Sequence, residues 1–196
     1  VTVRAERLWH VMPGHVVTVR VERRWRKRGQ LYGVGEVRDV RVDVPAFGLP
    51  PLRVHERGPL SPFTPPATDP EPLRELKARI AAAPRSAYEM EQVLPSGDVG
   101  DESDPIREMV ALWERGKSID ATLLAMDLLS QDLRCIDVYA HLGHLIFSLY
   151  PEHARLHYEI GVAVGDHALG PGFSGALPWS FHDNRPFLRC LHGEGL

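Results

Sequence analysis

The sequence predicts an α+β protein, a small antiparallel β N-terminal domain followed by an α-helical hairpin array. Three observations carry the prediction. After His15 apolar and polar residues alternate with period two, the mark of a half-buried strand. Residues 58–72 contain six prolines, which resist both helix and sheet. Beyond them apolar residues recur at i, i+3, i+4 and i+7, the mark of amphipathic helix. The expected units are a basic β domain at 1–57, a proline-rich linker at 58–72 and a helical domain at 73–196.

The composition is that of a folded chain. Its 196 residues are 43% apolar and 25% charged, close to the average globular protein. This excludes collagen-like sequence, wholesale disorder and a disulfide scaffold. No apolar run approaches the roughly 18 residues of a membrane span. Residues 1–15 hold only a short apolar stretch, interrupted by His10, and do not read as a secretory leader. The expectation is a cytoplasmic protein with no membrane partner. Cys135 and Cys190, the two cysteines, read as small buried apolar residues in a reducing compartment.

The β-rich N-terminal region divides cleanly into faces. Val17, Val19, Val21 and Trp25 share one parity; Thr18, Arg20, Glu22, Arg24 and Arg26 share the other. Lys27-Arg28-Gly29-Gln30 then supplies a polar turn. A second β-rich run covers residues 31–44, but its parity slips twice: Tyr32 and Val34 are even, Val37 is odd, and Val40 and Val42 are even again. Such slips imply bulges, near Gly35-Glu36 and Arg38-Asp39, which would bend the strand. Pro45 ends it. Residues 52–55 and 1–4 complete the expected sheet or partial barrel as short third and fourth strands.

Charge is distributed unevenly. Residues 1–60 carry 11 Arg and one Lys against four Glu and two Asp, a balance of +6; the remainder carries 11 basic and 20 acidic side chains, −9. A basic head raises nucleic acid as a partner. Arg20, Arg23, Arg24, Arg26, Lys27 and Arg28 flank Trp25, with Tyr32 just beyond the turn. Arginines supply phosphate contacts, and an exposed aromatic ring stacks a base. The parity, however, predicts that Trp25 faces inward with the valines, leaving the charges to protect a sheet edge. Nucleic-acid binding through this hairpin is therefore the alternative function.

Helices follow the proline-rich segment. Asp69 reads as an N-cap with Pro70 at the first helical position; Leu73, Leu76 and Ile80 form the stripe, and Pro84 stops it. Residues 86–94 are too short to assign, and 97–104 are an acidic loop. Asp104-Pro105 opens a helix whose stripe is Ile106, Met109, Val110 and Trp113, closed by Gly116. Ala121, Leu124, Ala125 and Leu128 form the next stripe, Tyr139, Leu142, Gly143 and Ile146 another, and Ala154, Tyr158, Gly161 and Val162 the last. One fixed offset carries Ile106 onto Tyr139, Met109 onto Leu142, Val110 onto Gly143, Trp113 onto Ile146, Ala121 onto Ala154, Ala125 onto Tyr158 and Leu128 onto Gly161. A constant shift across two helices is the signature of a helical-hairpin repeat. The small residues stand where two helices approach closely.

Tyr139-x-x-Leu142-Gly143, followed by Ala154, Tyr158 and Gly161, resembles a tetratricopeptide repeat, one residue short between its helices. Gly116 through Ala121 resembles the turn of an earlier copy. Residues 190–196 resemble the first helix of a third, with Gly195 in the place of Gly143 and an insertion before it, spanning roughly positions 166–184. The whole chain also resembles a group of uncharacterised bacterial proteins in which a β-rich, Arg-containing region precedes tetratricopeptide-like helices and an Asn-Arg-Pro-Phe segment, here Asn184 to Phe187. That likeness implies architecture and no chemistry. A third copy without its second helix leaves Leu188, Cys190, Leu191 and Leu196 uncovered, as in a C-terminally truncated member, unless this last helix docks on the preceding hairpin. The repeat resemblance implies a peptide-holding groove lined by Asp137, Ala140, His144 and Phe147, and more weakly by Asp104, Ala111 and Glu114. The glycine- and proline-rich insertion, with Phe173, Trp179 and Phe181, either closes over this groove or covers the end of the core.

No catalytic constellation is legible. His141 and His144, and His153 and His157, stand at ligand-pair spacings, but no cysteine or acid completes a metal pattern. Gly-x-Ser-x-Gly, a Walker-type loop and His-Glu-x-x-His are absent. Gly33-Val34-Gly35 lies inside a strand-like run and reads as bulge chemistry. The expected function is a non-catalytic adaptor binding another protein or peptide through its helical groove, with no cofactor and no metal.

Overall fold

The alternation after His15 folds into a long antiparallel β-hairpin. The computed structural model describes residues 2–5, 10–60, 68–82, 85–95 and 104–196. Strands β1 (Thr2–Ala5), β2 (His15–Lys27) and β3 (Gln30–Val42) form one sheet in the order β1-β3-β2. The short strand expected near the N-terminus exists, but it runs parallel to β3, with Thr2 opposite Tyr32 and Ala5 opposite Gly35. Connectivity explains the direction. β2 begins at the body of the protein, so the chain before it must run from the hairpin tip towards that body, as β3 does.

The hairpin is fixed at its base. Gly14, at φ +102°, lets the chain pass so close to the helices that a Cβ there would lie 2.6 Å from Ile160 Cγ2. The Met12 N–H donates to His15 Nδ1 (3.1 Å) and the His15 N–H donates to the Met12 carbonyl (3.0 Å), closing the turn. Away from this anchor every residue from 20 to 30 is exposed.

Residues 52–55 do not join that sheet. Strand β4 (Val54–Pro59) pairs antiparallel with β5 (Ser86–Met90) in a separate two-stranded sheet. The pairing spans the proline-rich segment and brings residues 54–59 beside a strand from the helical side. Glu91 and Glu89 reinforce it, bridging Arg53 at 2.8 Å and Arg57 at 2.6 Å. Helix α1 (Glu71–Ala82) buries none of its residues; Leu73, Leu76 and Ile80 are exposed. Asp69 pairs with Lys77 at 2.5 Å. The expected stop at Pro84 and the loop at 97–103 lie outside the described residues.

The core lies among α2 (Pro105–Glu114), α3 (Ser118–Gln131), α4 (Ile136–Ile146), α5 (Pro151–Leu169) and α6 (Arg185–Glu194). Asp104 caps α2, its side chain accepting from the Ile106 N–H at 2.9 Å. Helices α2 and α3 pack as one hairpin, and α4 and α5 as the next. The expected stripes face inward: Met109, Ala125, Tyr139 and Ala154 are fully buried. Helix α6 lies against both α4 and α5. Glycines make this possible. A Cβ on Gly143 would lie 2.5 Å from the Tyr158 ring, and one on Gly193 would meet the other part of the same ring at 2.5 Å. Gly161 and Gly165 admit Cys190 and Phe187 in the same way. Gly193, then, and not Gly195, is the close-contact glycine of α6; a Cβ on Gly195 would make only ordinary contacts, the nearest with the His192 carbonyl at 3.6 Å. Cys190 is fully covered and Leu188 partly so, while Leu191 and Leu196 are exposed.

The inserted loop joins the small sheet. Ala176 exchanges hydrogen bonds with Tyr88 (2.8 Å) and Ser86 (2.9 Å), and Phe173 meets Tyr88 edge-on at 5.2 Å. Asn184, fully buried, accepts from the Met90 N–H (2.8 Å) and donates to the carbonyls of Tyr88 (2.9 Å) and Pro178 (3.1 Å). The Asn-Arg-Pro-Phe segment thereby ties strand, loop and last helix together. No helix among the described residues is long and apolar enough to cross a membrane.

Candidate nucleic-acid interface

The tip of the hairpin is a two-residue loop, Arg28-Gly29, with φ of 51° and 79°. Positive φ at both positions is the type I′ geometry, whose twist matches that of the paired strands. Asn-Gly ordinarily fills it. Here arginine holds the first place, the one non-glycine residue at positive φ among those described.

Two bulges decide which side chains share a face. One extra residue, Arg38, sits in β3 between the Thr18–Asp39 and Val19–Val37 pairs, at one of the two expected places. The other lies in the partner strand: Val21 pairs with Gly35 and Arg23 with Val34, leaving Glu22 as the extra residue. The parity slip seen in β3 near Gly35 is thus taken up by β2. A Cβ on Gly35 would collide with the Arg20 carbonyl at 2.3 Å, so β3 is pinned at that point.

The expectation of a buried Trp25 is overturned, because neither face of the tip is covered: Val21, which keeps the other face, is 49% exposed. Beyond Glu22 the alternation is inverted, and Trp25 stands opposite Tyr32 on the face away from Val19 and Val21. Trp25 is 39% exposed. Its ring stacks on Tyr32 with centroids 5.9 Å apart and planes 14° from parallel. The Arg23 guanidinium lies 5.8 Å from the Trp25 centroid, within cation–π range. The Tyr32 hydroxyl donates to Gln30 Oε1 (3.2 Å) within β3, and Gln30 Nε2 donates to Thr2 Oγ1 (2.9 Å) on β1, which ties the ring pair to the neighbouring strand.

The same inversion divides the cations. Arg23 and Lys27 share the aromatic face, joined from β1 by Arg4, whose partner is Val34. Arg24 and Arg26 project from the opposite face, and Arg28 sits at the tip. Arg20 is engaged by Glu36 at 3.1 Å. Among the described residues Arg4, Arg23, Arg24, Arg26, Lys27 and Arg28 join no ion pair. Thr2, Arg4, Trp25, Lys27, Arg28 and Tyr32 line an open groove. Arg4 and Gln30 were not legible as site residues in the sequence; only the parallel pairing of β1 brings Arg4 here.

The positions expected to line a helical groove separate into two kinds. Asp137 and Ala140 are buried. Asp137 is bridged by Arg189 of α6 at 3.2 Å and by His141 at 3.6 Å, and Gln92 Nε2 donates to it at 3.3 Å. Burial raises the Asp137 carboxyl above its ordinary value, against the pull of His141 and Arg189. Arg189 of α6 thus occupies the Asp137 carboxylate, and with both residues buried neither lines an open groove. His144 and Phe147 remain exposed, beside exposed Leu149 and Tyr150 at the turn into α5.

His153 and His157 do not meet His141 and His144 in a ligand set: among the described residues no three metal-binding side chains converge. His157 is buried, its Nδ1 has no hydrogen-bond partner, and burial lowers its pKa to about 4. Cys135 and Cys190 are free and buried. No protein-family model, curated protein or solved structure matches the chain.

Proposed function

We propose that this protein binds nucleic acid through the tip of its N-terminal β-hairpin. The observation that supports it is the exposed Trp25–Tyr32 stack with Arg23, Lys27 and Arg28 around it. Arg20 and Arg41, nearer the body, are matched by carboxylates. The tip residues lack such partners among the described residues, so each keeps its full charge for a phosphate. Neutralising several phosphates gives salt-dependent affinity. The test is fluorescence anisotropy of labelled RNA and DNA, from roughly 50 to 200 mM salt. Replacing Arg23, Arg24 and Arg26 together by glutamine is expected to weaken binding and to flatten the salt slope by about 0.7–0.9 for each phosphate no longer neutralised. An unchanged slope would sink the reading.

A second reading is a protein-binding adaptor built on tetratricopeptide-like hairpins. What favours it is the exposed corner of Phe147, Leu149 and Tyr150 next to His144. Its groove would be narrower than the resemblance implies, since Asp137 and Ala140 are occupied by internal packing. Replacing His144 and Phe147 by alanine should abolish capture of a protein partner; retention of every captured partner counts against it.

A further inference from the structure

We infer that the hairpin tip takes single-stranded nucleic acid, with an unpaired base extending the Trp25–Tyr32 stack and phosphates held on either side. This rests on the nucleic-acid reading and adds the form of the ligand. The registers place side chains in three rows across the sheet. Thr2, Tyr32 and Trp25 make the middle row; Arg4 and Arg23 flank Val34 in the row nearer the body; Lys27 pairs with Gln30 in the row nearer the tip. Rows two residues apart are about 6.6 Å apart along a strand. The two cationic rows therefore stand roughly 13 Å apart, with aromatic surface between them.

That layout suits a strand running along the hairpin. Its backbone meets Arg4 and Arg23, its base continues the ring stack, and its backbone runs on to Lys27 and Arg28. Every base has a face to stack, so the stack is tolerant of sequence. Gln30 and Thr2, the polar groups nearest the rings, are already bonded to each other, which leaves them poorly placed to read a base edge.

Width argues against a duplex. A two-stranded ribbon enters a major groove about 12 Å wide. Here β1 adds a third strand beside Tyr32. Three strands measure about 9.6 Å between outer axes before side chains are counted. Among the described residues only those beyond Trp25 and Tyr32 remain two-stranded, too few to carry the rings to the groove floor.

The experiment uses the full chain with labelled 12-nucleotide single strands of RNA and DNA, the matching 12-base-pair duplexes, and polyglutamate as an acidic polypeptide. Single strands are expected to bind at least ~10-fold tighter than duplex, the worth of one stacked base. Replacing Trp25 and Tyr32 together by leucine should weaken single-strand binding roughly 10-fold to 100-fold, with the salt slope unchanged. Trp25→Phe keeps a ring and should retain most of the affinity, which separates stacking from loss of fold. Equal affinity for single strand and duplex, or indifference to the leucine pair, overturns the inference and leaves the electrostatic reading standing. No binding of any nucleic acid at the lowest salt overturns both. Tighter binding of polyglutamate overturns both in favour of an acidic protein partner.

Discussion

Arg28 occupies a backbone conformation that asparagine or glycine fills with less strain. A cation held there despite that preference fits a tip selected for charge. Arg28→Asn is expected to stabilise the fold by about 0.5–1 kcal/mol while weakening nucleic-acid binding, a pair of opposite effects read by urea unfolding and by anisotropy. His157 illustrates the converse, a titratable group the fold keeps neutral. Burial holds its pKa near 4, and His15 and His153 oppose its protonation further. The unfolded chain binds this proton below about pH 6.5 and the folded chain does not until about pH 4. Stability attributable to His157 is therefore complete above pH 6.5 and falls with decreasing pH, by up to about 1.4 kcal/mol per unit. Urea unfolding of the protein and of His157→Gln at several pH values between these limits should show a steeper pH dependence for the parent.

At the scale of elements, much was legible because strands and helices announce themselves by period. The hairpin, its turn at Arg28-Gly29, the cap at Asp104 and the close helix contacts at Gly143 and Gly161 all follow from local pattern. What escaped were the consequences of a single inserted residue and of distant pairing. Two valine parities in β3 reveal that a slip exists, but either strand can absorb it; Glu22 did so, and Trp25 moved to the other face. The partner of β4 is the short strand Ser86–Met90, beyond both the proline-rich segment and α1, with no sequence signal linking the two. Asp137 is bridged from α6, which lies far along the chain, so its burial has no local signal. The glycine contacts give an element-level test. Gly143→Ala gains about 1 kcal/mol of helix propensity, yet its methyl group meets a Tyr158 ring that Gly193 backs on the other side. With no room to yield, overpacking should prevail and destabilise by about 1–2 kcal/mol net. Gly195→Ala, where the new methyl group makes only ordinary contacts, should leave the unfolding midpoint within error.

At the scale of the whole molecule, the body closes around contacts made far apart in sequence, and its thiols report on that closure. Burial pushes the Cys135 thiol up to about 12 and raises Cys190 as well, so neither forms the thiolate that reacts. A thiol reagent should label both only as the chain unfolds, the labelling midpoint in urea coinciding with loss of helical circular dichroism; labelling of the native protein at the rate of a free thiol would contradict the packing. The hydrogen bonds of Asn184 to Tyr88 and Met90 carry a further consequence for how the chain is made. During synthesis residues leave the ribosome from the N-terminus onward. The hairpin, joined by a two-residue loop, has its strand partners within reach as soon as residue 42 emerges. Strand β5 must wait for Asn184, far later in the chain, before its buried backbone is satisfied. The nascent chain thus presents a finished basic finger while its helical half is still being assembled.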